Sequence, residues 1–134
     1  MTSEAEHMET VKELLDDISE KVRSGLIVER QKIVGFSASE ASCNIFALLL
    51  HKKRLITPGF NVNHRFFASE KMANEYFRFS FPEKAALLLL LVEQEKYRNL
   101  LCYGKGKERK VVEGAIENVQ KIRDMVEKLI GEDI

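Results

Sequence analysis

The chain has 134 residues, with 21 Lys plus Arg against 21 Asp plus Glu, 45% apolar residues, two Pro and seven Gly. That length fits a single domain over residues 1–134, and the apolar share is too high and the net charge too low for a disordered chain. Zero net charge also argues against a broad, sequence-blind nucleic-acid binder, which is normally basic.

In chain order, the pattern predicts five helices and no strand pair. Met8, Val11, Leu15, Ile18 and Val22 recur at steps of three and four, which is one face of a helix. Ser3 followed by Glu6 matches a capping box, and Gly25 is the expected stop. A second helix is predicted from about Ile27 to Arg54. Its centre (Ala38, Ser39, Ala41, Ser42, Cys43) is rich in small residues and would let a neighbour approach closely. Its final His51, Lys52, Lys53 and Arg54 complement the helix dipole.

Thr57-Pro58-Gly59 marks a long loop over Leu55 to Asn63. A third helix is predicted from about His64 to Phe77, with its aromatic residues in the core. Ser80, Pro82 and Glu83 read as a start signal for a fourth helix, Pro82 to Leu101. Its five consecutive leucines, Leu87 to Leu91, cover every face and mark it as the central element. After a connector at Tyr103 to Lys107, a fifth helix runs to Ile130 on Val112, Ala115, Val119, Ile122, Val126 and Leu129, with Gly131 closing it. The expected fold is all-α, an antiparallel bundle of five helices.

Cys43 and Cys102 are too few for a disulfide framework and form no CxxC pair, so both read as small buried residues. The acidic first twenty residues lack the positive start of a signal peptide, and the longest apolar run, Ala85 to Val92, is too short to span a bilayer. A cytoplasmic protein without membrane contact is the expectation.

P-loop, GxGxxG, HExxH and GxSxG motifs are all absent. Gly104-Lys105-Gly106-Lys107 lacks the length and the strand of a phosphate cradle and reads as a helix–helix turn. Glu4 and His7 give one Glu-x-x-His spacing where a di-metal bundle needs two, so neither metal nor cofactor is expected. His7 reads as a solvated first-turn residue, and His64 as part of a polar loop cluster with Asn61, Asn63 and Arg65.

The segment Lys96 to Lys105 stands out. Arg98 lies seven residues after Leu91, close to the apolar side of its helix. An arginine there needs partners for its five donors, and either an internal carboxylate or a bound phosphate suits its planar fork. Asn99, Tyr103, Lys105 and Lys107 add donors at the same helix end.

This combination resembles the HEPN family of small helical bundles. That family carries an Arg, often followed by a polar residue, and then a His four to six residues downstream at the end of a late helix. Arg98 matches the Arg, Asn99 the polar residue, and Tyr103 occupies the His position. The layout also fits over roughly residues 8 to 130. A long second helix holds Ser37, Ser39 and Ser42, the Pro-Gly loop and His64 follow, and an amphipathic helix closes the chain.

The resemblance implies a homodimer with a shared cleft, and nucleotide or RNA binding through Arg98, Asn99, Lys105, Lys107 and His64. It also implies a nucleotidyltransferase partner in a toxin–antitoxin-type system. Arg98 and Tyr103 would be the catalytic positions of a nuclease. A phenol titrates near 10 and an imidazole near 6.5, so Tyr103 suits hydrogen-bond donation better than proton abstraction, and nuclease activity is expected to be weak or lost. The alternatives are an active RNA-cleaving toxin and a purely structural interaction module.

The charge is unevenly spread. The first twenty residues hold seven acids and one base, Lys12, whereas residues 96–110 hold six bases and one acid, Glu108. A local basic site at the end of the fourth helix is therefore compatible with zero net charge.

Overall fold

A computed structural model describes residues 3–134, and over these it is an all-α bundle of five α-helices with no strand. Helix α1 spans Glu4–Arg23. The Ser3 hydroxyl accepts the Glu6 N–H at 3.1 Å, so the predicted cap is present. Gly25 ends the helix with φ +68°, and the Leu26 N–H returns to the Lys21 carbonyl at 2.9 Å. A left-handed residue followed by that backward bond satisfies carbonyls that would otherwise lack partners.

Helix α2 spans Gln31–Lys52, starting four residues later than the periodicity suggests. Residues 26–30 form a turn, with the Arg30 N–H on the Leu26 carbonyl, and Ile27 is buried beneath it. This helix, rather than the leucine-rich one, is the central element. Helices α1, α4 and α5 all pack on it. Fifteen of its 22 residues are buried, including Gly35, Ser37, Ala38, Ser39, Ala41, Ser42 and Cys43. The small side chains admit three neighbours at close range, which bulky leucines could not do. Helix α2 is long and apolar enough to cross a membrane, yet 78% of its apolar window is buried in the bundle, so its apolar character is accounted for by core packing.

Arg54 follows with φ +56°, a left-handed turn that lets the Leu55 N–H reach the Leu50 carbonyl at 2.8 Å. The predicted loop then carries Leu55, Ile56, Phe60 and Val62 against the core. The predicted third helix is two pieces: a 3₁₀ turn at His64–Phe67 and helix α3 at Glu70–Tyr76. Each piece has its own cap. The Asn63 side chain accepts the Arg65 N–H and the Ser69 hydroxyl accepts the Met72 N–H. Ser69 must be extended (φ −154°, ψ 161°) to do so, which breaks the helix there.

Helix α4 spans Lys84–Cys102. Its start is two residues later than Pro82, because Glu83 is left-handed (φ 63°) and cannot be a helical residue. Leu87, Leu88 and Leu91 are buried, while Leu89 is 49% exposed, so this helix keeps one open side. Helix α5, Arg109–Ile130, matches its predicted stripe and is closed by left-handed Gly131. Phe46, Leu49 and Leu50 of α2 meet Phe67, Phe77, Leu87, Leu91, Ile122 and Val126 in the main core.

Candidate functional site

Arg98 lies where α4 faces α2 and is only 8% exposed. Its Nη1 donates to the Ser39 hydroxyl at 3.1 Å and stands 3.6 Å from a Glu40 carboxylate oxygen. The guanidinium lies over the Phe36 ring, 5.2 Å from its centroid. Phe36, Ser39 and Glu40 are spaced three and four residues apart, so one side of α2 supplies all three contacts. The small Ser39 leaves the room that the guanidinium fills. Nε is buried without a partner, so the fork is only partly satisfied.

One turn earlier on α4, buried Glu95 receives His64 from the 3₁₀ turn. His64 Nδ1 stands 2.9 and 3.0 Å from the two carboxylate oxygens. An ionised carboxylate only accepts hydrogen bonds, so Nδ1 carries the proton that Glu95 receives. The Asn63 cap fixes the start of the turn that presents His64. Cys43 lies beneath. Burial, then the carboxylates Glu40 and Glu95, push its thiol far above the ordinary range, and Arg98 offsets this only partly. Cys43 is therefore an inert packing residue.

The other predicted residues occupy the outer rim. Asn99 and Tyr103 are exposed, Tyr103 at 59%, and neither bonds to Arg98. Lys105 is exposed, and the Lys107 ammonium donates to the Lys105 carbonyl. The Lys107 backbone is tied to Gln31, whose side chain accepts its N–H at 2.6 Å and donates to its carbonyl at 3.1 Å. Lys32 reaches the carbonyls of Cys102 and Gly104 at 3.4 Å and neutralises the end of α4. The basic cluster thus belongs to the connector, while Arg98 is set into the helix pair.

His51 is not part of this site. It lies roughly 17 Å further along α2 than Glu40, at 1.5 Å per residue, and its ring stands 5.3 Å from that of His7. His7 itself is buried rather than solvated. Among the described residues no three His, Cys, Asp or Glu side chains converge as a metal site.

Sequence reasoning did not single out Phe36, Glu40 or Glu95. Glu95 sits three residues before Arg98 and so had to share its helix face, which is the one signal that pointed to it. The chain matches no protein-family model, no curated protein and no solved structure.

Proposed function

We propose that this chain is a HEPN-like helical module that pairs with a second copy across the α2–α4 face and binds a nucleotide or RNA phosphate at Arg98. The observation that carries this reading is the cover over Arg98. Phe36 lies on the guanidinium and is itself 45% exposed. Ile33, one turn earlier on the same helix, and Tyr103, just past the end of α4, are also large and exposed, at 46% and 59%. A cation set under open aromatic surface is suited to an anionic ligand closed in by a partner. Asn99, Lys105 and Lys107 on the rim, with His64 beside Glu95, supply further donors. A cytoplasmic setting and a nucleotidyltransferase partner in a toxin–antitoxin-type system belong to the same proposal.

The test is titration of the purified chain with ATP and with a short RNA, alongside its mass in solution. Binding that is lost in Arg98→Ala, by a protein of twice the chain mass, supports the reading. Equal binding by both forms overturns the role of Arg98.

A second reading is a structural interaction module, favoured by the contacts of Arg98 with Ser39 and Glu40. It predicts no nucleotide or RNA binding and a loss of stability alone on Arg98→Ala.

A further inference from the structure

We propose that His7, His51 and Glu4 bind one zinc ion where the start of α1 meets the end of α2, far from Arg98 and independent of any role there. In the sequence Glu4 and His7 are a single Glu-x-x-His spacing without the second copy that a di-metal bundle needs. The fold supplies a different complement. The first turn of α1 lies against the last turn of α2, and the rings of His7 and His51 stand 5.3 Å apart. Among the described residues, His7 Nε2 and His51 Nε2 are both shut off from water and both lack a hydrogen-bond partner. One such buried nitrogen is costly, and an apolar side chain at either position would avoid the cost.

The other nitrogen of His7 is already oriented. The Asn44 side-chain oxygen stands 2.7 Å from His7 Nδ1, and the Asn44 amide donates to the Glu40 carbonyl at 2.8 Å. Nδ1 is therefore the protonated nitrogen, and Nε2 holds a lone pair. Ligating histidines are held in this way, with the second ring nitrogen donating to an oxygen that fixes the tautomer. The ring separation also fits one shared ion. With zinc–nitrogen bonds of about 2.0–2.1 Å and a tetrahedral angle, two imidazoles on one zinc have their centroids roughly 5 Å apart.

Glu4 is the third ligand. It lies three residues before His7 on the same helix face. Its Oε2 stands 3.4 Å from Lys52 Nζ, and its side chain is 48% exposed, so only a long surface bridge holds it. While Glu4 is turned to Lys52 the three side chains do not converge. Rotation about the Glu4 side-chain torsions swings the carboxylate towards the imidazoles, and Lys52 keeps Glu132 as its partner at 3.1 Å. A cavity lined by Glu4, His51, Lys52 and Glu132 opens beside the pair and admits the ion and a water as fourth ligand. Two neutral imidazoles and one carboxylate suit zinc, whereas magnesium and calcium take oxygen ligands.

The test titrates the full chain, first stripped with a chelator, with zinc chloride in a calorimeter, and with magnesium chloride as control. Wild type is expected to take up one zinc and no magnesium, and its melting temperature should rise with zinc concentration. His51→Gln should abolish this binding. Asn44→Ala removes the orienting oxygen and should weaken it by about 10–100-fold. Cys102→Ser, which removes the more accessible of the two free thiols, should bind as wild type. A wild-type chain that takes up no zinc overturns the proposal, as does binding that survives in His51→Gln or is lost in Cys102→Ser. Glu4 lies on the surface, so Glu4→Gln folds even if His51→Gln does not, and zinc affinity unchanged in that variant also overturns the site.

Discussion

Gly35 of α2 and Leu101 of α4 are in such close contact that a Cβ added at Gly35 would stand 2.7 Å from the Leu101 Cβ. Cβ atoms are fixed by the backbone, so only a shift of one helix could relieve that overlap. Gly35→Ala gains about 1 kcal/mol of helix propensity, and overpacking costs about 1–3 kcal/mol. The overlap is between backbone-fixed atoms, so the cost lies at the upper end of that range, and a net destabilisation of up to about 2 kcal/mol is expected in urea titrations. Gly114→Ala is the control. The atoms nearest its new methyl group belong to the tip of the half-buried Tyr97 side chain, with the hydroxyl 2.5 Å away, so the ring end rather than a backbone must shift, and the helix-propensity gain offsets that cost. That variant should stay within about 0.5 kcal/mol of wild type.

Arg98 contributes to stability whatever else it does. Truncation to Ala removes its bond to Ser39, its position on Phe36 and its attraction to Glu40. The Glu40 side chain is 34% exposed and can turn to water, so the loss should be nearer about 1–2 kcal/mol than the full cost of a buried pair. Adding Glu40→Gln to both backgrounds measures the pair directly. A coupling energy below about 0.5 kcal/mol would assign the stabilisation to Phe36 and Ser39 instead.

Those two contacts also show where sequence reading reached and where it stopped. Patterns local to one helix were legible. The Ser3 cap, the Gly25 and Gly131 stops and the stripe of α5 depend on neighbours within a few residues. Arg98 was legible as an arginine on an inward face, because its phase against Leu91 is arithmetic. Its partners were not, since Ser39 lies 59 residues away and any inward carboxylate would have served. The same holds for His64 and Glu95, 31 residues apart. The break in the third helix is hidden in the sequence because aromatic spacing continues through Ser69, where a serine cap interrupts the backbone. Leucine content overstated the centrality of α4; the small residues of α2 decide which helix three others can surround.

A buried amide pair joins α4 to α5. Asn118 donates to the Gln94 side-chain oxygen at 2.8 Å and to the Leu90 carbonyl at 2.9 Å, while Gln94 donates to the Ala115 carbonyl at 3.2 Å. Both residues are nearly inaccessible, so losing one leaves the other without water to replace it. Gln94→Leu alone should cost about 1–3 kcal/mol. The double variant with Asn118→Leu should recover most of that loss, since no lone polar group remains. Additive losses in thermal or urea melts would show that the pair acts only through side-chain shape.

The interface between α1 and α2 should weaken below neutral pH because of His51. Asn44 donates its amide N–H to the Glu40 carbonyl at 2.8 Å, which turns its oxygen towards His7 Nδ1 at 2.7 Å. His7 Nδ1 must therefore donate, which leaves its Nε2 a buried acceptor without a partner, and His51 Nε2 is likewise buried and unpartnered. Burial first, and then His7, hold the His51 imidazole below its ordinary value of 6.5, with Glu4 opposing less strongly. In the unfolded chain that imidazole takes up its proton near pH 6.5, while in the folded chain it resists until lower pH. Between those two points the unfolded state binds more protons, so stability falls as pH drops below about 6.5. It is fully present above that pH and stops falling once the folded form is also protonated. His51→Gln should flatten this part of the curve in urea titrations between roughly pH 7 and 5. An unchanged slope in that variant would place the acid sensitivity on the carboxylates instead.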